Sequence, residues 1–288
     1  DTAANSLKFR ITEISTGTLQ KQAAGSSIWV DVAINDSETG YLASGETLRW
    51  KGASNANGIL NAFKVKAYDG AATSNGDPVQ VKVDVSAVND APILDLSTDG
   101  ATANRSANFI EIAGADDGSH AVSFADETMS DALISDVDSV NLTKLVVTIQ
   151  TTQVKTGDRL LLNGNFFDLS YAGSGSCTYG SSTNTNTIDW TISMADGITQ
   201  VAFNKAAGLP ISEFRTLLSK LKFNSASDVP GNTNRVFTVH VEDGGSSNFS
   251  SNAATFTVNV NPTNDPPSLA EKTTAGVLEN EVREISLT

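Results

Sequence analysis

Short runs in which every second residue is apolar recur along this chain, separated by clusters of Gly, Asn, Asp and Ser. A two-residue period buries one face of an extended strand, and Gly or Asn at the breaks tolerates the positive φ of tight turns. Over residues 1–90 the pattern predicts strands at 7–14, 28–34, 47–50, 62–68 and 79–85, folded as a β-sandwich. Phe9, Ile11, Leu19, Trp29, Leu48, Trp50, Phe63, Val65 and Val81 are its expected core. Beyond Ile93 the pattern predicts strands at 109–112, 121–125, 142–150, 159–162, 166–171, 187–193, 198–203, 220–224, 235–242 and 254–260. The expected fold class is all-β, with tandem sandwiches.

The period changes once. Phe214, Leu217, Leu218 and Leu221 fall at i, i+3, i+4 and i+7, so a short helix with Ser212 as N-cap is expected to plug one end of the second sandwich. Between Tyr171 and Thr187 the pattern fades into Gly, Ser, Thr and Asn around Cys177 and Tyr179. That stretch reads as a surface loop or long hairpin whose composition buries no core.

Two copies of one phrase close strand-like runs: Val88-Asn89-Asp90-Ala91-Pro92 after 79–85, and Thr263-Asn264-Asp265-Pro266-Pro267 after 254–260. Proline donates no backbone hydrogen bond and fixes φ, so each phrase ends a ladder and stiffens the chain into a link. The expected division is 1–90, 91–265 and the start of a third unit over 266–288. The alternating run at 284–288 makes the chain read as a segment of something longer.

Charge narrows the partners. Residues 1–92 carry a net −2 and residues 93–267 a net −10, within a total of −14 and a pI near 4.4. Nucleic-acid binding needs Lys and Arg to neutralise phosphates, so the balance argues against it and suits a cation. No run of 18 apolar residues exists to span a membrane. One cysteine, Cys177, and two histidines leave neither a disulfide nor a zinc cluster. No nucleophile elbow, phosphate loop or H-E-x-x-H is present, so the chain reads as non-catalytic.

Several of these segments together resemble the cadherin-like repeats of giant, calcium-dependent bacterial surface adhesins of the RTX type. The resemblance rests on Ala56-Asn57-Gly58, on 62–70 ending in Asp69-Gly70, and on Asn108-Phe109-Ile110-Glu111. It rests also on Ile134-Ser135-Asp136-Val137-Asp138, on Val241-Glu242-Asp243-Gly244 and on both Asn-Asp-x-Pro phrases. It implies immunoglobulin-like sandwiches with Ca2+ bound at their junctions. In that scheme Glu111, Asp136, Asp138 and Asp243 meet Asn89 and Asp90 at the first junction. Asn264 and Asp265 meet Glu279 at the second. Alternation alone puts Asp136 and Asp138 on one side of an extended chain, and calcium takes 6 to 8 oxygens that no single loop here supplies. An Asx turn is the other reading of Asp136-x-Asp138.

The resemblance implies a calcium-stiffened extender of a secreted, cell-surface protein whose partners are its neighbouring repeats. Two alternatives stay open. One is the repeating subunit of an extracellular fibre, sheath or surface layer that self-associates. The other is a carbohydrate- or peptide-binding module presenting Tyr171, Tyr179 and Trp190.

Overall fold

The computed structural model describes residues 7–34, 36–97, 102–112, 118–125, 134–181 and 184–265. They form two compact units, each all-β in its strands, with one α-helix in the second. The first unit comprises residues up to Pro92 together with the short segments 136–140 and 245–249.

The first unit contains β1 (Lys8–Ile14), β2 (Thr18–Gln22), β3 (Trp29–Asp31), β4 (Tyr41–Leu42), β5 (Thr47–Lys51), β6 (Gly58–Tyr68) and β7 (Val79–Val85). They build two antiparallel sheets, ordered β4-β1-β6-β7 and β3-β2-β5. The turn from β1 to β2 requires glycine: at Gly17 φ is +70°, and a Cβ there would lie 2.2 Å from the Lys51 carbonyl oxygen. The Trp50 indole Nε1 closes the same corner by donating to Thr16 O at 2.7 Å.

Its core is thin. Of the nine expected core residues Ile11 and Leu19 are fully buried, Phe9 is 53% exposed, and the rest are partly covered. Lys21 occupies one interior position instead, paired with Glu46 at 3.1 Å and donating to the carbonyls of Glu38 and Tyr41.

The second unit contains β8 (Ile93–Leu94), β9 (Arg105–Ile110), β10 (Val122–Ser123), β11 (Ile134–Ser135), β12 (Asn141–Gln150), β13 (Asp158–Leu162) and β14 (Asn165–Asp168). There follow β15 (Gly173–Ser181), β16 (Asn184–Ala195), β17 (Ile198–Pro210), α1 (Ile211–Lys220), β18 (Leu221–Ser225), β19 (Arg235–Glu242) and β20 (Ala254–Asn261). A seven-stranded sheet, β15-β16-β17-β12-β19-β20-β9, faces a four-stranded sheet, β10-β18-β13-β14. Phe223 of the small sheet meets Phe237 of the large one at 5.7 Å between ring centroids, and Phe124 lies 4.5 Å from Phe256. Each such buried phenylalanine contributes about 1.5–3 kcal/mol.

The helix differs from expectation at its start. Pro210, extended at φ −49°, stands at the N-cap, and Ser212 lies inside the first turn without capping it. Phe214, Leu217 and Leu218 are buried as the periodicity requires, and Leu221 opens β18 with its side chain in the same core.

The stretch after Tyr171 is a correction. Of the two readings, loop or long hairpin, it is the hairpin, with β15 paired to β16 along its whole length, but it is not coreless: Cys177 and Tyr179 point into the core, 6% and 0% exposed. Gly173 and Gly175 lie flat against the Trp190 indole, where a Cβ at Gly175 would come within 3.2 Å of the ring. The small residues are there to admit the tryptophan.

One ion pair is fully enclosed. Arg235 donates through Nε to Asp158 Oδ2 at 2.6 Å and through Nη2 to Oδ1 at 3.3 Å, while Nη2 and Nη1 also donate to the carbonyls of Pro230 and Thr233 respectively. Burial pushes the Asp158 carboxyl above its ordinary range, and the guanidinium pulls against that shift.

Candidate cation sites

The two Asn-Asp phrases each carry a carboxylate cluster, and each cluster lies within one compact unit. In the first unit the phrase meets segments 136–140 and 245–249. Asp136 Oδ1 accepts from the amides of Asp138 and Ser139 at 3.1 and 3.0 Å, which is an Asx turn. Asp138 Oδ2 accepts from the Asp90 amide at 3.2 Å. Asp136 Oδ2 is buried with no hydrogen-bond partner. Burial chiefly, and the nearby Asp138, raise the Asp136 pKa against the pull of the two amides. An open cavity of about 230 Å3, lined in part by Asn55, Asn57, Ser86, Asp90 and Asp138, adjoins these carboxylates.

Asn89 anchors the 245–249 segment through its side-chain amide nitrogen. Its Nδ2 donates to the carbonyls of Asp90, Ser247 and Asn248 at 3.1, 3.1 and 3.2 Å, and Asn248 Nδ2 returns a bond to Asn89 O at 3.1 Å. Gly245 packs so closely on this amide that a Cβ would sit 2.6 Å from Asn89 Cγ. Asn89 therefore ties down a loop.

In the second unit, Glu111, Asp228 and Asp265 bring one carboxylate oxygen each to within 4.8 Å of one another. Glu111 follows β9 and is 3% exposed. Its Oε2 accepts from the Thr263 amide at 2.7 Å, its carbonyl accepts from Thr263 Oγ1 at 2.6 Å, and its amide donates to Asn261 O at 3.1 Å. The other oxygen, Oε1, is buried without a partner, and so is Asp265 Oδ1. Two carboxylates about 4.8 Å apart repel by on the order of 3 kcal/mol at an effective dielectric of about 20. Hard, unpartnered oxygens in that position could hold a metal ion. The residues present fit such an ion.

Glu111 is the main correction among the site residues. Expected beside Asn89 and Asp90, it stands instead against the second phrase. The cause is strand direction: β9 runs parallel to β20, with Ile110 opposite Asn261, so both strands finish at the end that leads into Thr263, Asn264 and Asp265. β12 begins, and β19 finishes, at the opposite end of the sheet, about 26 Å away along an eight-residue strand.

Asp243 follows β19 and is partly buried, beside Gly244, whose φ of +85° packs it on Thr143. Asn264 Nδ2 donates to Asp265 O at 3.3 Å. Glu279 lies outside the described residues. Tyr171, Tyr179 and Trp190 form no common face: Tyr171 is 71% exposed, Tyr179 is sealed in the core, and Trp190 packs edge-on against Phe167 at 5.3 Å. Asp228 was not foreseen. It sits in the β18–β19 loop before Pro230, and nothing local distinguishes it from an ordinary turn aspartate.

No protein-family model matches the chain, and comparison with curated proteins gives no match. Among the described residues no helix is long and apolar enough to cross a membrane.

Proposed function

We propose that this chain is a calcium-stiffened structural segment of a long extracellular, cell-surface protein, an extender of the adhesin type whose neighbours are further repeats of the same chain. The observation that carries the reading is Glu111. A carboxylate 3% exposed, with one oxygen unpartnered and two further carboxylates within 4.8 Å, is costly to build unless a cation completes it. Asp265 belongs to the proline-stiffened phrase, so an ion held by Glu111, Asp228 and Asp265 would fix the exit of the chain from the second unit. Asp90, Asp136 and Asp138 would hold a second ion. The ions neutralise carboxylates that otherwise repel and restrict the links that carry them.

Thermal unfolding in calcium and in a chelator tests this. An ion that binds only the folded chain stabilises it by about 2.7 kcal/mol at a hundred times its Kd. Wild type is expected to melt higher in calcium, and Asp228→Asn, an exposed change that leaves the core intact, to lose part of the gain. Identical melting of wild type in calcium and EGTA would overturn the proposal.

A further inference from the structure

The seven-stranded sheet of the second unit ends on β15, and β15 lacks what guards the unit's other edges. An edge strand offers a row of unpaired N–H and C=O groups, which proteins protect with charge, proline or brevity. Among the described residues, β9 at the far edge of the same sheet carries Arg105. In the facing sheet, β14 carries Asp168 and β10 is two residues long. β15 is nine residues long, and the whole run 169–188 around it contains neither a charged residue nor a proline.

That edge is uncovered yet firmly held. Gly173, Ser174, Gly175, Ser176 and Thr178 are exposed, while Cys177 and Tyr179 anchor the inner face in the core. β16 pairs with β15 from end to end, so the strand is already extended and loses little entropy on docking. Asn165 Nδ2 reaches the Thr178 carbonyl at 3.4 Å, beyond the usual hydrogen-bond range, and leaves the edge open.

Charge decides what can pair there. The chain carries a net −14, so two copies repel over most of their surfaces. Across β15 they can approach without bringing carboxylates together. On the outer face Asp189 lies one strand in, opposite Ser176 and bonded to its hydroxyl. In an antiparallel join of two β15 strands the two Asp189 side chains stand three strand spacings apart, about 14 Å, which exceeds the Debye length of about 8 Å. With Cys177 on the two-fold axis all nine residues pair, and Gly175, Cys177 and Tyr179 of both copies keep to the core side. Such a contact is isologous, so the strand is its own complement.

We propose that β15 is a self-association edge, through which two copies of this chain pair antiparallel and join their seven-stranded sheets into one. Main-chain bonds supply the affinity, as in other strand additions. The join buries less than the roughly 1,200 Å2 of a standard interface, so it is weak between free molecules and forms where copies are held at about millimolar effective concentration. It closes at two copies and uses neither carboxylate cluster.

Sedimentation velocity of the full chain up to about 1 mM tests this. The mean mass is expected to rise toward that of a dimer with concentration, and the β15 amides to exchange more slowly in the concentrated sample. A Ser174→Lys, Thr178→Lys variant sets like charges along the join and is expected to stay monomeric. A Thr187→Lys, Thr191→Lys variant adds the same charge at exposed positions one strand in and is expected to pair as wild type does. A wild-type chain that stays monomeric throughout would overturn the proposal. So would a dimer that survives the β15 substitutions, one lost equally in both variants, or one whose β15 amides exchange as fast as the monomer's, because the contact would then lie elsewhere.

Discussion

The first and second units lay similar strands in similar order, yet one has a core and the other barely does. Around β12, β19 and β18 some 32 residues form one buried cluster among the described residues, while around β1, β6 and β5 Ile11, Leu19 and Val32 do. The apolar alternation that predicts the strands is comparable in both. What differs is cover. β9 and β10 close two edges and bring phenylalanines between the sheets, and α1 seals one end with Phe214, Leu217 and Leu218. Alternation thus determines which face of a strand turns inward, and the neighbouring strands determine how much water leaves it.

Removing matched aromatic rings is expected to separate the two units most. Phe124→Ala deletes a ring packed on Phe237 and Phe256 in a closed core and is expected to cost about 3–5 kcal/mol in the second unit. Phe63→Ala takes a ring from the open cavity of the first unit, where solvent can follow it, and is expected to cost about 1 kcal/mol. Urea unfolding followed by probes placed in each unit measures both. Equal costs would mean that the first core is closed in solution.

A change of comparable size concerns the enclosed pair. Arg235→Ala leaves Asp158 buried without its guanidinium, and a loss of about 3–5 kcal/mol is expected, confined to the second unit. The first unit offers a control. Lys64 and Glu13 form an exposed pair at 2.7 Å, and Lys64→Ala is expected to change its stability by less than about 1 kcal/mol. Paired denaturation curves in which both substitutions cost the same would show that enclosure of Asp158 and Arg235 is incomplete.

The sequence was most legible where the signal is local. The strands and the helical i, i+3, i+4, i+7 spacing from Phe214 depend on neighbours in the chain, and the structure places strands and a helix there; the two Asn-Asp phrases follow β7 and β20. The site was less so. The sequence marks Glu111 as a ligand candidate but not which phrase it stands against, because its position depends on β9 lying parallel to β20, a pairing across some 150 residues that no short pattern encodes. Asp228 carries no signal of its own for the same reason. A long hairpin between Tyr171 and Thr187 is one of the two readings the sequence allows, but its share of the core is hidden by composition: Gly173, Gly175, Cys177 and Tyr179 alternate, and glycine registers as a break when its neighbour in space, Trp190, is unknown.

The smallest expected effect lies in that hairpin and appears only at high pH. The Tyr179 hydroxyl is buried without a well-formed hydrogen bond but faces the Glu213 carboxylate, and burial first, then the negative charge of Glu213 and its hold on the hydroxyl proton, push its pKa from 10.0 up to about 12. The unfolded chain therefore loses this proton near pH 10, while the folded chain keeps it to about pH 12. A raised pKa means that the folded state binds more protons across that window, so stability is complete below pH 10 and declines as pH rises through it. Cys177 acts in the same sense from 9.0 to about 11, with burial the main cause and Asp189 the second. Tyr179→Phe is expected to leave the urea midpoint at pH 8 within about 0.5 kcal/mol of wild type, since it removes a polar group that already lacks a well-formed hydrogen bond. Between pH 10 and 11 the variant's midpoint is expected to fall less steeply than that of wild type. A loss above about 1 kcal/mol at pH 8 would show instead that the hydroxyl is hydrogen-bonded in solution.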